Sequence, residues 1–384
     1  MAKVLILGCG TQGLAMSKAL HAQQNEVYLL YGDKNNYADA SRYIKKKFFT
    51  SLSPMSVEFC KKLIDIIQKE GIETLIPMGD VYAEMMALRK SELKAYVKFQ
   101  MPDYGVFQRA YDKNQLMKVC QENHYPHPLT ITNIKSIDDV AESELSFPLL
   151  IKPNITCGAR GMTLVSNYQE LLEKFPVIQA EYGDCHLQKY IKQGGSQVEV
   201  QLYIDEDGQL INSSVISKYR WYPEKGGSSC CAISVKNEKI VGILYDLLKS
   251  IGWVGFADFD TIEDPETGEL LIMELNPRVP ACVKTAIVSG INWGQIIVDD
   301  YLGNKQNKYE YCPGEVLRHL GFETLWFLKS PNRWGMHPSY FKFFGKHIHY
   351  QDMSDWTDPM PFIRGTLHNI KKVFLHKEKQ KIIR

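Results

Sequence analysis

Acidic, amide and basic side chains follow one another in the segment Glu274-Leu275-Asn276-Pro277-Arg278, and Asp258 and Asp260 precede it along the chain. Carboxylate and amide oxygens are ligands that Mg²⁺ prefers, usually together with substrate phosphates. The planar guanidinium of Arg278 suits a phosphate or a carboxylate. The segment therefore predicts a magnesium–nucleotide site, with Mn²⁺ as an alternative metal. A hairpin that carries solvated charges is the other interpretation.

These side chains need two neighbouring strands to hold them. Residues 254–260 have the pattern of a strand, and the two-residue period places Asp258 and Asp260 on one face. Residues 264–268 predict a turn, and 270–275 predict the returning strand, which ends near Glu274. The period alone does not choose between Asp258 and Asp260 as the metal ligand.

A glycine turn near the start of the chain predicts a second nucleotide-binding feature. The chain begins with a predicted strand at 4–7, which is followed by the glycines Gly8, Gly10 and Gly13 and by a predicted helix at 14–22. An open βαβ-type sheet is completed by predicted strands at 26–31 and 74–77 and a helix at 57–70. The spacing matches GxGxxG, and Asp33 lies where a ribose-binding acid would lie in an NAD-binding fold. An NAD-dependent oxidoreductase is therefore one hypothesis. The alternative is that the glycines only allow a tight turn and close helix packing.

Composition bounds the class of protein. A chain of 384 residues with 45% hydrophobic and 23% charged residues is expected to form two or three globular domains. A net charge of +1 does not favour nucleic acid as a partner, and the nine cysteines include no CxxC pair. No apolar run approaches the length of a membrane span, and the N-terminus lacks the core of a signal peptide. The expectation is a cytoplasmic protein.

The middle of the chain alternates short strands and helices. Asp112 is predicted to cap a helix that runs to Glu122, and residues 154–162 form a loop of small residues between two strands. The remaining predicted elements are strands at 147–152, 163–166, 186–191, 198–204 and 210–216, and helices at 170–175 and 236–251.

Six segments in this order resemble the ATP-grasp superfamily over roughly residues 109–310, and above all its carboxylate–amine ligase and carbamoyl-phosphate-synthase-like branch. They are Asp112-Lys113, Pro126-His127-Pro128, residues 147–153 (FPLLIKP), the glycine loop, residues 188–191 (QKYI) and residues 274–278 (ELNPR). Ser41-Arg42-Tyr43 also resembles the D-aspartate-ligase-like subgroup.

The resemblance implies a role for particular residues. Lys113 and Lys152 would approach the ATP phosphates, and the 156–162 loop, with Gly158, Arg160 and Gly161, would cover the triphosphate. Gln188, Lys189 and Ile191 would lie against the adenine, and Gln197, or Glu199 nearby, against the ribose. Relatives usually carry an acid at the position of Gln188, so its side-chain contribution is open.

The same resemblance favours Asp258 over Asp260 and makes Asp258, Glu274 and Asn276 the magnesium ligands. Arg278 would stabilise the transferring phosphoryl group. Lys218 and Arg220 would recruit an anionic substrate, the alternative being that they are ordinary exposed basic residues. The loops 156–162 and 221–229 would close over the intermediate.

Together these features predict an α/β chain with a Rossmann-like pre-ATP-grasp domain at 1–108, a two-lobed α+β ATP-grasp fold at 109–310 and a C-terminal extension at 311–384. The small lobe is expected at about 120–190 and the large lobe at about 191–310. The extension contains tryptophans and a basic amphipathic run at 370–384, and two interpretations are open. The first is an aromatic region that packs on the large lobe. A helix that lies on anionic lipid is the second.

The predicted activity is ATP-dependent ligation, in which a carboxylate is activated as an acyl phosphate and joined to an amine. The expected partners are small-molecule carboxylates and amines, with a homodimer left open. Besides the NAD-dependent oxidoreductase, the alternatives are an ATP-grasp kinase, a carboxylating enzyme and a nucleotide-binding protein without turnover.

Overall fold

The structure is a computed structural model and describes residues 1–34, 36–141, 145–156, 160–192, 194–224, 228–304 and 309–375. Its internal contacts divide these residues into two compact units. The larger unit consists of Met1–Phe107, Val200–Asp258 and the described residues from Asn276 onward; the smaller unit consists of Gln108–Glu199 and Phe259–Leu275. The units therefore cut across the linear domains 1–108, 109–310 and 311–384, which stay predictions.

The chain begins with a parallel sheet in the larger unit. Its strands β1 (Lys3–Leu7), β2 (Glu26–Tyr31), β3 (Lys46–Phe49) and β4 (Thr74–Pro77) have the order β3-β2-β1-β4. The accompanying helices are α1 (Thr11–Ala22), α2 (Val57–Glu70), α3 (Asp80–Leu88), α4 (Lys90–Leu93) and α5 (Tyr104–Tyr111), which crosses into the smaller unit. The predicted strands 26–31 and 74–77 and the predicted helix 57–70 are confirmed. Strand β3 was not predicted, because its exposed edge sequence Lys46-Lys47-Phe48-Phe49 lacks a buried face.

The smaller unit is built on an antiparallel sheet. Helix α6 (Lys113–Glu122) precedes strands β5 (Thr130–Ile131), β6 (Leu149–Pro153) and β7 (Thr163–Val165), helix α7 (Tyr168–Tyr182) and strand β8 (Cys185–Lys189), and the sheet order is β5-β8-β6-β7. The Asp112 side chain accepts a hydrogen bond from the Gln115 backbone N–H at 3.0 Å and caps α6, as the sequence predicts.

Helix α7 is longer than the predicted segment 170–175. It continues past the predicted end at Phe175 and through Pro176. Leu171 and Phe175 are fully buried in a cluster that includes Leu149 and Leu187, so packing against the sheet outweighs the local cost of the proline.

A third sheet has the strand order β13-β12-β9-β10-β11-β14-β15. Its strands are β9 (Gln197–Ile204), β10 (Leu210–Tyr222), β11 (Ser228–Val235), β12 (Gly255–Glu263), β13 (Leu270–Asn276), β14 (Val316–Arg318) and β15 (Ile348–Tyr350). The remaining helices are α8 (Glu238–Ile251), α9 (Val283–Val288), α10 (Trp293–Leu302), α11 (Leu320–Lys329) and α12 (Met360–Leu375). Strand β10 extends six residues beyond its predicted end at 216. The predicted loop 221–229 thus overlaps β10 and β11, and its centre, 225–227, lies outside the described residues.

The C-terminal segment is bonded to the N-terminal sheet region within the larger unit. The Ser41 hydroxyl donates to the Asp358 carboxylate at 2.6 Å, and the Tyr43 hydroxyl donates to Asp355 at 2.5 Å. The ammonium of Lys284 donates to the carbonyls of Tyr350 (2.7 Å) and Met353 (2.5 Å). Burial lowers the pKa of Lys284 to about 8. None of the helices within the described ranges has both the length and the apolar composition that crossing a bilayer requires.

Candidate functional site

The sheet of the smaller unit has one apolar face and one polar face. Along β6, Leu149 and Ile151 belong to the hydrophobic cluster, so the two-residue period places Lys152 on the opposite face. Lys152 is in register with His186 of β8. Gln188, two residues further along β8, shares that face. The polar face is nevertheless buried, since Lys152 is 7% exposed and His186 and Gln188 are 0% exposed.

Lys152 and Gln188 are bonded to each other on this face. The Lys152 ammonium donates to the Gln188 amide oxygen at 3.0 Å. The Gln188 amide nitrogen donates to the Thr130 hydroxyl at 3.1 Å and contacts the Met117 sulfur at 3.3 Å. The amide of Gln188 is therefore a neutral hydrogen-bond acceptor that orients the buried Lys152. Sequence reasoning placed Gln188 in the site through its strand and missed both this bond and Thr130.

Lys113 lies at the first position of α6, next to the capping residue. Its ammonium donates to the Thr156 carbonyl at 2.7 Å and forms an ion pair with the Glu274 carboxylate at 3.1 Å. Its side chain is 11% exposed and that of Glu274 is 33% exposed. The structure thus brings together a predicted phosphate-binding lysine, a predicted metal ligand and the first residue of the glycine loop.

His186 is a further member of the polar face that the sequence did not single out. Its Nδ1 is 2.9 Å from the Asn154 side-chain oxygen, and its Nε2 is buried with no hydrogen-bond partner among the described residues. Burial lowers the pKa of His186 well below its usual value, and the nearby Lys152 and Lys113 lower it further. The ring is therefore neutral. The strand period would have placed it on the same face of β8 as Gln188.

The loop that follows β6 is described in part. Gly158 lies outside the described residues, and Arg160 is exposed. Gly161 has a φ of +73°, and a Cβ there would lie 2.7 Å from the Tyr182 ring and 2.8 Å from Pro153. Only glycine fits this position, which explains the residue type without reference to a ligand.

The predicted adenine and ribose residues lie at the end of β8 and the start of β9. The Lys189 backbone N–H is bonded to the Leu129 carbonyl at 2.8 Å, and its side chain is half-buried. Ile191 lies beyond the end of β8 and is 7% exposed. Gln197 begins β9 and is half-buried, whereas Glu199 is 5% exposed.

In the larger unit, Arg278 is the centre of a second polar group. Its guanidinium forms ion pairs with Asp80 at 3.1 Å and with Asp258 at 3.4 Å, and it donates to the Asn276 side-chain oxygen at 3.1 Å. The Asn276 amide also donates to Asp258 at 3.3 Å. Asp80 was missed by the sequence analysis, although it lies just after β4, and the carboxyl ends of parallel strands are where α/β sheets bind ligands.

The two basic residues predicted to recruit an anionic substrate differ in their surroundings. Lys218 is half-buried on β10, in register with Ala232. Arg220 is 1% exposed; it pairs with the buried Glu323 and donates to the Pro338 carbonyl. Glu323 also accepts from Arg318 at 2.5 Å. Arg220 is therefore part of a buried ion-pair group, which corrects the expectation of a basic residue exposed to an incoming substrate.

The glycine turn at Gly8 and Gly10 is covered by the chain's own side chains. Both glycines have a positive φ, +102° and +109°. A Cβ on Gly8 would lie 3.1 Å from the Tyr82 ring, and one on Gly10 would lie 2.7 Å from the Gln12 side chain, which donates to the Met78 carbonyl. The tight turn and its close packing therefore explain why glycine stands at both positions. This is the second of the two interpretations of the motif.

The donor set fits a magnesium nucleotide. The described residues contain no group of three or more His, Cys, Asp or Glu that could hold a metal by themselves. Mg²⁺ in nucleotide sites characteristically uses one or two carboxylates and completes its shell with phosphates and water. In the larger unit, Asp258 has a carboxylate and Asn276 an amide; in the smaller unit, Glu274 has a carboxylate, and Lys113 and Lys152 carry charges that complement phosphate.

The chain has a mixed α/β fold with a buried, lysine-bearing sheet face, and comparisons with known proteins show what it is similar to. Residues 112–294, slightly less than half of the chain, match the family described as "Carbamoyl-phosphate synthase L chain, ATP binding domain". This region is therefore similar to that ATP-binding domain. The match does not include the glycine turn at residues 8–13.

Curated relatives extend the similarity. The chain is 28% identical over 250 residues to a D-aspartate ligase of Enterococcus faecium, which covers 60% of this chain and 59% of that protein. It is 23% identical over 301 residues to the C-terminal section of the carbamoyl phosphate synthase large chain of Methanopyrus kandleri, covering 73% and 54%. The chain thus spans between half and three-fifths of the length of these relatives.

Solved structures share the fold. One is the biotin carboxylase domain dimer of Hydrogenobacter thermophilus 2-oxoglutarate carboxylase, in complex with MgADP, ADP and bicarbonate. It superposes with a TM-score of 0.67 at 18% identity, and the match covers 82% of this chain and 73% of that chain. An L-amino acid ligase from Bacillus licheniformis gives a TM-score of 0.62 at 15% identity, covering 82% and 78%.

Proposed function

We propose that this protein is an ATP-dependent carboxylate–amine ligase. The observation that carries the proposal is that the smaller unit buries two lysines, Lys152 on the polar face of its sheet and Lys113 at the start of α6, within the region that matches an ATP-binding domain. Buried cations are costly unless negative groups compensate them. A bound triphosphate would add such negative charge next to both lysines.

On this proposal, Lys113 and Lys152 bind ATP phosphates, and Gln188 keeps Lys152 in place. The 156–162 loop, with Gly158, Arg160 and Gly161, covers the phosphates and excludes water from the intermediate. Lys189, Ile191 and Gln197 contact the adenosine. Neutral His186 retains a buried acceptor, Nε2, for a hydroxyl or amino group of the bound molecules.

Asp258, Glu274 and Asn276 are the proposed magnesium ligands. Bound Mg²⁺ would neutralise phosphate charge and polarise the phosphoryl group. Arg278 would stabilise the phosphoryl group while a carboxylate oxygen attacks it and ADP leaves. The amine nitrogen then attacks the acyl phosphate carbonyl, releasing phosphate and forming the amide. Catalysis here depends on positioning and electrostatics rather than on a protein nucleophile.

The proposed substrates are amino-acid-sized carboxylates and amines. The named activities of two relatives, a D-aspartate ligase and an L-amino acid ligase, support this class. Lys218 is the proposed contact for an anionic substrate, and Arg220 is assigned a structural role because of its burial. Ser41 and Tyr43, which suggested the D-aspartate-ligase-like subgroup, are engaged by Asp358 and Asp355, so they support fold similarity rather than substrate identity.

We further propose that residues 1–108 are a Rossmann-like domain that precedes the ATP-grasp fold, since β1–β4 form a parallel sheet with α1–α3 between and after them. The C-terminal extension from 311 onward would be a family-specific addition. A homodimer is proposed by analogy with the dimeric biotin carboxylase domain, and light scattering on the purified chain tests it.

The activity is tested by ADP release with candidate carboxylates in the presence of hydroxylamine. A ligase yields a hydroxamate, because hydroxylamine attacks the acyl phosphate in place of the amine. The reaction should require Mg²⁺. A stable phosphorylated alcohol with no hydroxamate would place the protein among kinases, whereas NAD binding without Mg-ATP binding in calorimetry would overturn the nucleotide assignment itself.

A further inference from the structure

Residues 328–346, which we call the aromatic–basic segment, expose large rings to solvent. Trp334 is 75% exposed, Phe341 57% and Phe344 82%. The segment contains no aspartate or glutamate. Single exposed apolar side chains are common on protein surfaces, but contiguous exposed aromatic surface usually marks an interaction site.

Two of these rings, Trp334 and Phe341, form one contiguous surface with Phe327. Phe327, at the end of α11, meets Trp334 edge-to-face at a centroid distance of 5.2 Å and Phe341 at 5.3 Å. Trp334 and Phe341 stack on each other at 6.0 Å. The half-buried Phe327 is thus the base on which the two exposed rings rest. These contacts fix the rings relative to one another.

The backbone of the segment is also held from beneath. Arg318, which is 0% exposed, donates to the carbonyls of Tyr340 at 2.6 Å and Lys342 at 2.5 Å. Arg220 donates to the carbonyl of Pro338. Both guanidiniums pair with Glu323 in the interior of the larger unit. The exposed rings are therefore carried by an anchored platform.

The segment also carries four basic residues. Lys329, Lys342 and Lys346 are exposed, and Arg333 is half-buried with its guanidinium bonded to backbone carbonyls of α11. Within the described ranges, none of these four side chains forms an ion pair with a carboxylate. Two carboxylates touch the region at its ends: Glu224 accepts from Ser330, and Glu315 is bonded to His347 just beyond the segment.

We propose that the aromatic–basic segment docks the protein on an anionic lipid bilayer. Tryptophan and phenylalanine favour the boundary between headgroups and acyl chains, and nearby lysines are attracted to anionic headgroups. The segment offers rings and cations together on an anchored surface with no acidic residue of its own, which is the charge complement of such a bilayer.

Co-sedimentation of the full chain with vesicles tests the proposal. Vesicles of phosphatidylcholine containing phosphatidylglycerol should bind the protein, those of phosphatidylcholine alone should bind it much less, and added salt should weaken binding. Lys342→Gln with Lys346→Gln should lower the partition coefficient about thirtyfold, which is about 1 kcal/mol per lysine. Trp334→Ala and Phe344→Ser should each reduce binding and the blue shift of tryptophan fluorescence.

Trp356→Ala is the matched control. Trp356 is 87% exposed but lies between Asp355 and Asp358, outside the segment, so its removal should not change vesicle binding. The proposal would be overturned if the protein bound neutral and anionic vesicles equally or bound no vesicles at all. It would also be overturned if the Trp334 and Trp356 variants lost vesicle binding to the same extent. The proposal would also be overturned if light scattering showed a dimer that Trp334→Ala abolishes, or if the protein bound a single-stranded oligonucleotide in preference to anionic vesicles. Calorimetry with Mg-ATP on each variant verifies that the fold is retained.

Discussion

At the scale of single residues, Lys113 joins helix α6 to the glycine loop and to Glu274. Lys113→Met removes the cation while keeping most of the apolar stem, so Mg-ATP affinity in calorimetry should fall at least tenfold. Lys118→Met is the matched control. Lys118 lies on the same helix and is exposed, and its ammonium makes a long ion pair with the Glu122 carboxylate at 4.0 Å. An equal loss in both variants, or none in Lys113→Met, contradicts the phosphate role.

Gln188 allows a second test on the same face. Gln188→Leu deprives the Lys152 ammonium of its 3.0 Å acceptor and removes the bond to Thr130. The free energy of unfolding should fall by about 1–3 kcal/mol in urea titrations, since the buried side chains of Lys152 and Thr130 each lose one hydrogen bond. Gln169→Leu, on the exposed side of α7, should leave stability nearly unchanged. A stable Gln188→Leu protein would show that this bond is dispensable.

Asp300 gives a pH dependence whose sign follows from its surroundings. Burial raises the pKa of this carboxyl to about 6, with Asp205, Glu206 and Asp207 contributing, while Tyr203 donates to it at 2.6 Å. The folded chain therefore keeps the proton at higher pH than the unfolded chain does. This stabilisation is fully present below the unfolded pKa of about 4 and is lost as the pH rises through about 6.

The measurement compares the parent protein with Asp300→Asn in urea titrations from about pH 4 to pH 7. The free energy of unfolding of the parent should decline relative to the variant by about 1 kcal/mol, a value reduced for partial solvent exposure. Parallel pH profiles would show that Asp300 titrates alike in both states.

At the scale of elements, β10, β14 and α11 meet at the buried group of Arg220, Arg318 and Glu323. Glu323→Gln leaves both guanidiniums without their carboxylate, so the free energy of unfolding should fall by about 3–5 kcal/mol. Glu238→Gln is the control, because that carboxylate is exposed at the start of α8. A loss below about 1 kcal/mol would mean that the carbonyl contacts alone satisfy the two arginines.

The elements also show what the sequence could and could not predict. Strands β2 and β4 are short runs of continuously buried residues and helix α2 is amphipathic, and the predicted bounds match. Helix α7 passes through Pro176 because buried Leu171 and Phe175 stabilise it, and no local signal carries that information. The strands that bear Lys152, Gln188 and Glu274 were predicted, but the pairing of Lys152 with Gln188 depends on strand register. Asp80 and His186 were missed because their contacts join residues far apart in the chain.

At the scale of the whole molecule, the larger unit combines the beginning, the middle and the end of the chain. A version truncated before residue 311 loses β14, which pairs with β11, and leaves Arg220 without Glu323. It should unfold at a clearly lower temperature than the full chain or aggregate. A scanning calorimetry trace with an unchanged melting temperature would show that the extension is an independent addition.

The bond between Ser41 and Asp358 has a consequence for how the protein is made. A ribosome releases Ser41 long before it reaches Asp358, so the larger unit cannot close until more than three hundred further residues have been translated. Most of the smaller unit is one continuous stretch, Gln108–Glu199, whose sheet pairs over shorter separations and can form earlier. Nascent chains stalled before residue 358 should therefore show a protease-resistant core from the smaller unit, while the N-terminal region, although β1–β4 can pair, lacks the bond from Ser41 to Asp358 and is cleaved more readily than in the full chain.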